Sequence, residues 1–187
     1  MNNVIRFHGF LGNTNKDILK LEKEKLEELG FQVSVYNRDG ELYNSVFDFM
    51  DVNIVSIGFE LLKTIIYNGL YDILKNYILT CWNSTSKNTD KYFTIEIEDI
   101  STINGKENIK CKVNSPLTEK ERELFIKETF GLVNNIVNNN VNLLERSKYY
   151  DAFNAHVFEY NENEKFSEMD VEQRVKELKE NGKNESL

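Results

Sequence analysis

The spacing of hydrophobic positions in the first forty residues predicts a strand, a helix and a second strand. Residues 4–10 predict a strand, in which residues 4–7 are apolar on both faces apart from Arg6. Apolar side chains then recur at near-helical spacing over residues 18–29, on a stripe that includes Ile18 and Leu21. Gly30 is placed to end this helix in a left-handed conformation. Residues 31–36 alternate with period two and predict a strand parallel to the first, since the helix is long enough for the return.

The most apolar part of the chain, residues 45–82, has a helical pattern and predicts one long buried helix. Its two glycines, Gly58 and Gly69, each cost about 1 kcal/mol relative to alanine inside a helix. They indicate either close packing of another backbone or a break between two helices. A membrane-spanning helix needs about 20 nearly uncharged residues, and charged side chains interrupt every such window here. The sequence therefore predicts no membrane span.

Residues 92–103 and 108–114 alternate with period two and predict a β-hairpin. A three-residue loop over residues 103–105, with Gly105 in the left-handed position, keeps apolar residues opposite apolar residues. The pairs that this register predicts are Ile97 with Cys111, Ile95 with Val113, Glu96 with Lys112, and Glu98 with Lys110.

The last third of the chain predicts a helix, a short strand and a charged helix. Pro116 suits a first helical position, and Thr118 with Glu121 forms a capping-box pattern. Residues 155–160 are compatible with a strand, and Ser167 is placed to begin a final helix over residues 168–180. The elements together predict an α+β fold with one mixed sheet and helices mainly on one face. Residues 1–135 form the predicted core domain, and residues 136–187 form a helical extension with a short strand.

Charge and cysteine content exclude several classes of protein. The 187 residues carry 23 Lys and Arg against 31 Asp and Glu, a net charge of −8, which argues against binding to a nucleic-acid backbone. Two cysteines, Cys81 and Cys111, cannot form a disulfide framework, and the first residues do not have the pattern of a signal peptide. A cytoplasmic protein is therefore predicted.

Two candidate chemistries arise from the glycines after the first strand. His8-Gly9 resembles the oxyanion turn of an α/β-hydrolase, which would need Ser56 as nucleophile and His156 as base. Ile54 stands where the Gly-x-Ser-x-Gly elbow requires its first glycine, and no acid is placed for the base. Gly9 and Gly12 also suit a phosphate-binding turn, but the Lys-Ser/Thr of a phosphate loop is missing. A tight turn between a strand and a helix explains both glycines without either chemistry, and it is the favoured interpretation.

No metal or cofactor site is predicted. The histidines and cysteines are scattered, without the paired spacing of metal ligands. Cys111 falls on the inward face of the predicted hairpin, which favours a core position. The sequence therefore predicts a protein that assembles no catalytic set of residues.

One resemblance comes from the order of the predicted elements. The chain resembles the effector-associated constant-component domains of bacterial conflict systems, which open with β-α-β, continue with a long apolar helix and close with a hairpin and a helix. Residues 4–36, 54–82, 92–113 and 118–133 follow that order. The helix of such modules is similar to Ile65-Ile66-Tyr67-Asn68-Gly69-Leu70-Tyr71-Asp72-Ile73-Leu74-Lys75. The resemblance implies a non-enzymatic adaptor in antiphage or related systems and supplies no catalytic residues.

The sequence thus predicts an adaptor or regulatory protein that acts through protein–protein contact. Aromatic residues and methionine are enriched at interfaces, and they predict a contact surface made by Phe47, Asp48, Phe49, Met50 and Asp51. Self-association is compatible with the apolar helix. Two alternatives stay open: an acidic inhibitor or immunity protein against a basic nuclease or toxin, and a small esterase. A protein partner is expected, with no nucleic acid, membrane, cofactor or metal.

Overall fold

The computed structural model describes residues 4–11, 16–39, 52–87, 89–102, 105–139, 141, 143, 155–161, 163, 165–170 and 173. These residues form seven strands and four helices, which confirms the predicted α+β class. The strands are β1 (Val4–Gly9), β2 (Gln32–Asn37), β3 (Ile54–Gly58), β4 (Phe93–Thr102), β5 (Gly105–Val113), β6 (His156–Tyr160) and β7 (Phe166–Glu168). The helices are α1 (Lys16–Glu28), α2 (Phe59–Tyr67), α3 (Tyr71–Asn83) and α4 (Glu119–Val137).

All seven strands belong to one mixed sheet in the order β2-β1-β3-β4-β5-β6-β7. The pairs β1–β2, β3–β4 and β5–β6 are parallel, and the pairs β1–β3, β4–β5 and β6–β7 are antiparallel. The hydrophobic core lies between the sheet and the helices. Trp82 of α3 stacks on Phe93 of β4 with ring centroids 4.3 Å apart, and Phe125 of α4 meets Trp82 edge-on at 5.5 Å. We call this side of the sheet the helix face and the other side the open face, a label for position only, since Thr94 and Lys112 on that side are buried.

The prediction of one helix over residues 45–82 was wrong. Residues 54–58 form β3, a strand between β1 and β4, and the helical part is divided into α2 and α3. A strand in the middle of a sheet is buried on both faces, so its side chains read as a continuous apolar run that periodicity does not separate from a buried helix. Gly69 divides the two helices with a φ of +72°, which confirms the predicted alternative of a break.

The hairpin exists, but its predicted register was wrong by two residues. Ile97 pairs with Ile109, and Glu96 pairs with Lys110. Thr102 pairs with Gly105, so two residues separate them, and the register shifts between Ile97 and Ile100. Asp99, with a φ of +59°, occupies this β-bulge. The bulge adds one residue to β4, so the apolar residues of β4 and β5 point to the same face of the sheet. The predicted three-residue loop would have had the same effect.

The end of the chain keeps the predicted cap and strand but replaces part of the predicted helix. Thr118 caps α4: its backbone N–H donates to the Glu121 side chain at 2.7 Å, and its hydroxyl accepts from the Glu121 N–H at 3.4 Å. Because α4 begins at Glu119, Pro116 precedes the helix and is not its first residue. The predicted strand at residues 155–160 is β6, whereas residues 166–168 form β7 where a helix was expected. Both strands extend the sheet of the first 135 residues.

Candidate functional site

The turn after β1, which was a candidate for oxyanion or phosphate binding, uses its own backbone donors internally. The N–H of Phe10 donates to Oδ1 of Asn53 at 3.0 Å, and the N–H of Leu11 donates to Oδ1 of Asn37 at 3.3 Å. A Cβ on Gly9 would stand 2.7 Å from the Phe7 ring, so this glycine is required by packing. Gly12 lies outside the described residues. The turn therefore does not present the two N–H groups to a ligand.

The three residues of the predicted hydrolase site lie on different faces of the sheet. Ser56 pairs with Arg6 on the open face, where its hydroxyl donates to Oε2 of Glu96 at 2.7 Å. His8 shares that face. His156 lies on the helix face, since its neighbour in register is the core residue Ile109. The sheet separates Ser56 from His156, and they do not form one site.

His156 belongs to a different arrangement, a buried cluster with two glutamates that we call the Glu–His–Glu cluster. Its Nδ1 lies 2.6 Å from Oε1 of Glu168, a distance at which the ring N–H donates to the carboxylate, and its Nε2 lies 3.6 Å from Oε2 of Glu107. The side chains of Glu107 and His156 are 1% and 5% exposed. Both ring nitrogens face carboxylates, so the cluster joins β5, β6 and β7 and offers neither nitrogen to a substrate. Sequence reasoning missed both glutamates, because only the strand order brings them to His156.

The open face carries a row of charge pairs that crosses five strands. Arg6 of β1 pairs with Glu98 of β4. Lys112 of β5 lies 3.1 Å from Glu159 of β6, and Lys110 of β5 lies 3.9 Å from Glu96 of β4. The six members are Arg6, Glu96, Glu98, Lys110, Lys112 and Glu159. Each charge of this row has an opposite neighbour, so the row stabilises the sheet and leaves no uncompensated charge of its own.

At the β2 end of the sheet, exposed apolar residues lie beside an edge strand. Ile18 and Leu21 of α1 are 51% and 53% exposed, and Leu29, just after α1, is 45% exposed. The sequence had placed Ile18 and Leu21 on the buried stripe, and this was wrong: Leu19 and Leu26 are the buried residues of α1. The buried stripe is narrow because α1 lies at the end of the sheet. We call Ile18, Leu21, Leu29 and the outer edge of β2 the edge surface.

The apolar part of the edge surface faces away from the rest of the molecule. Leu19 and Leu26 are buried and mark the side of α1 that packs on the core, and α1 and α3 lie side by side. At 100° per residue, Ile18 lies about 100° around the helix from Leu19, and Leu21 lies about 160° from it. Both side chains are more than half exposed, so they point away from the core.

The predicted contact residues Phe47, Asp48, Phe49, Met50 and Asp51 lie outside the described residues, so that surface stays a prediction. Within the ranges described above, no group of three or more His, Cys, Asp or Glu side chains could hold a metal ion. In the same ranges, none of the helices has the length and apolar character needed to cross a membrane.

The two cysteines are core residues. Cys81 and Cys111 are fully buried and unpaired to each other. Burial raises the pKa of the Cys111 thiol to about 12, and it raises that of Cys81 as well. A thiol that keeps its proton at neutral pH is a poor nucleophile, and the core position predicted for Cys111 is confirmed.

Comparisons with protein-family models, with curated proteins and with solved structures find no match for this chain.

Proposed function

We propose that this protein is a non-enzymatic adaptor that works through contact with other proteins. The observation that carries the proposal is the edge surface, where three half-exposed apolar side chains lie beside the outer strand of the sheet. Exposed apolar residues grouped on one surface are typical of interaction sites. An edge strand adds backbone N–H and C=O groups that a partner strand can pair with. Such a surface binds by apolar burial and backbone hydrogen bonds and requires no reactive side chain.

A role in a bacterial antiphage or conflict system remains part of the proposal. It rests on the resemblance in element order to the constant-component domains. The division of the long apolar segment into β3, α2 and α3 departs from that order, because such modules are expected to continue from β-α-β directly into one helix. The adaptor role itself depends on the edge surface and does not require the resemblance.

The alternative of an acidic inhibitor receives less support from the described residues. An inhibitor of a basic toxin needs acidic side chains that are free to meet lysines and arginines of its target. The glutamates on the open face already pair with Arg6, Lys110 and Lys112. Salt separates the two functions, since binding through the edge surface changes little between low and high salt, whereas charge-driven binding weakens steeply.

The test is co-expression of the tagged chain with each protein encoded beside its gene, followed by purification. We expect one neighbour to co-purify in a stoichiometric complex. Replacing Ile18 and Leu21 together by glutamate should reduce the recovered partner by about tenfold or more, because charges at an apolar contact oppose its burial. Ile66→Glu is the matched control, since Ile66 is 45% exposed and lies on α2.

The proposal fails if no neighbour binds, or if the Ile18→Glu/Leu21→Glu variant and the Ile66→Glu variant bind a neighbour equally well. Circular dichroism of each variant establishes that the fold is retained before binding is compared. Binding that disappears at high salt but is unaffected by the glutamates would support the inhibitor instead.

A further inference from the structure

We infer that the edge surface binds a second copy of this chain, with the two β2 strands antiparallel about a twofold axis at Ser34. The inference rests on the proposed function, since it names the occupant of the same surface. It would join the two sheets into one and place the two α1 helices side by side. Self-complementary pairing of one patch with itself is the geometry of a twofold dimer.

The first step concerns the edge of β2, which lacks the features that keep edge strands apart. Strand β2 pairs with β1 over six residues in a regular parallel register, and no other strand of the described chain pairs with it. Its sequence is Gln32-Val33-Ser34-Val35-Tyr36-Asn37, without lysine, proline, glycine or any charged residue. Proteins prevent edge pairing with charges, prolines and bulges. The outer edge of β2 is therefore suited to accept another strand.

The second step concerns the side-chain pattern of β2, which matches its own reverse. In an antiparallel sheet, residues directly opposite each other point to the same face. With Ser34 opposite Ser34 of the other copy, each Val33 meets a Val35 on the helix face, and each Gln32 meets a Tyr36 on the open face. Centring the pair on Val35 would instead place Val33 opposite Asn37, an apolar residue against an amide. The pattern favours the axis at Ser34.

The third step concerns α1, whose outward side would meet α1 of the other copy. The twofold axis makes these helices antiparallel on the same side of the joined sheet. Ile18 and Leu21 point away from the core of their own copy, and Ile18, near the start of α1, would then lie beside the end of the partner helix, where Leu29 is also exposed. Burial of these side chains supplies the apolar contact that a six-residue strand pair lacks by itself.

The fourth step is the charge distribution of α1, which complements itself in the antiparallel arrangement. The first part of the helix has a net charge of +1, from Lys16, Asp17 and Lys20. The second part has a net charge of −2, from Glu22, Lys23, Glu24, Lys25, Glu27 and Glu28. Antiparallel packing places the positive end of each helix beside the negative end of the other. A parallel arrangement would bring like ends together.

The test is disulfide crosslinking at the proposed axis in the full chain. Directly opposite residues of an antiparallel pair have Cα atoms about 4.5 to 5.5 Å apart, within the range that a disulfide spans. We expect Ser34→Cys to give a covalent dimer under mild oxidation. Cys81 and Cys111 are fully buried and do not compete.

Two matched variants control the register. Gln32→Cys and Tyr36→Cys should each form no covalent crosslink when oxidised alone, because each residue lies about 14 Å from its own copy, four strand positions away. Mixing the two variants should produce a crosslinked dimer, since Gln32 and Tyr36 face each other. Light scattering of the unmodified 21.9 kDa chain should give twice that mass. The Ile18→Glu/Leu21→Glu variant should raise the dimer dissociation constant by about tenfold or more, and Ile66→Glu should leave it unchanged.

The outcomes separate this inference from the adaptor function. A dimer that crosslinks at Ser34 supports the inference. A dimer that does not crosslink at Ser34 overturns it, because the copies then associate elsewhere. A monomer that loses a neighbour-encoded partner when Ile18 and Leu21 are replaced also overturns it, while the adaptor proposal stands. If the chain is a monomer and those replacements do not change its binding to the partner, both the dimer inference and the adaptor proposal are wrong.

Discussion

Asn53 joins three segments of the chain through its side-chain amide, and its replacement by alanine gives the sharpest test of the fold around β1. The residue is fully buried just before β3. Its Oδ1 accepts from the N–H of Phe10, and its Nδ2 donates to the carbonyls of Thr89 and Tyr92 at 2.8 and 2.9 Å. Alanine removes all three hydrogen bonds and adds no competing contact.

The expected loss of stability follows from the three hydrogen bonds that alanine removes. Each contributes about 0.5 to 1.5 kcal/mol net, and the Thr89 carbonyl keeps the N–H of Tyr92 as a donor at 3.0 Å. The sum is about 1.5 to 4.5 kcal/mol. We therefore expect Asn53→Ala to lower the free energy of unfolding by about 3 kcal/mol, a large share of the roughly 5 to 15 kcal/mol typical of a domain.

Urea unfolding followed by circular dichroism measures this loss. With a denaturant slope of about 2 kcal/mol per molar, the midpoint should fall by about 1.5 M. Asn135→Ala is the matched control, because Asn135 is exposed on α4 and alanine is the better helix former, so its effect should stay within about 0.5 kcal/mol. A loss below about 1 kcal/mol for Asn53→Ala would refute the assignment of three hydrogen bonds to this side chain.

Four further predictions address other parts of the molecule. Gly9→Ala places a Cβ 2.7 Å from the Phe7 ring and should destabilise by about 1 to 3 kcal/mol; an unchanged urea midpoint would contradict this. Thr118→Ala removes the cap of α4 and should cost about 1 kcal/mol in thermal unfolding, whereas Thr118→Ser should retain most of it. His156→Ala removes the hydrogen bond to Glu168 and the contact with Glu107 and should cost about 1 to 3 kcal/mol; a loss under about 0.5 kcal/mol would show that the Glu–His–Glu cluster does not hold the strands. The pKa of Cys111 is raised to about 12, so the folded chain keeps a proton that the unfolded chain releases above about pH 8.5. Stability should therefore fall as pH rises from there toward 12, and Cys111→Ala should make the fall shallower; an identical slope in both proteins would refute the linkage.

The sequence correctly predicted those helix ends that depend on residues close together in the chain. The cap at Thr118 depends on residues three apart, and the end of α1 depends on the left-handed conformation of Gly30, whose φ is +88°. Strand β3 depends on its neighbours instead. Its buried residues form an apolar run that fits either a central strand or a buried helix. The sequence alone does not reveal how many strands lie beside it. The hairpin register failed because a bulge at Asp99 and a three-residue loop restore the same side-chain pattern.

The sequence predicted less of the candidate site than of the fold. The exposure of Ile18 and Leu21 depends on α1 lying at the end of the sheet, with α3 on one side and no helix of the described chain on the other. The Glu–His–Glu cluster depends on the order of β5, β6 and β7, which brings Glu107 to His156 from 49 positions earlier in the chain. Neither arrangement leaves a local motif. The sequence left open a small esterase built on His8, Ser56 and His156, and only the sheet order shows that Ser56 and His156 lie on opposite faces.

The strand order has a consequence for synthesis of the chain on the ribosome. Strand β3 pairs with β1, and from β4 onward each strand pairs with the strand made immediately before it. Every newly emerging segment thus finds its neighbour already available, and the sheet grows in one direction without a later strand being inserted. The β2 boundary is present from the start of this growth and is never covered by a later described strand. Two chains translated at the same time on one messenger RNA would therefore expose the outer edges of their β2 strands to each other long before either chain was released.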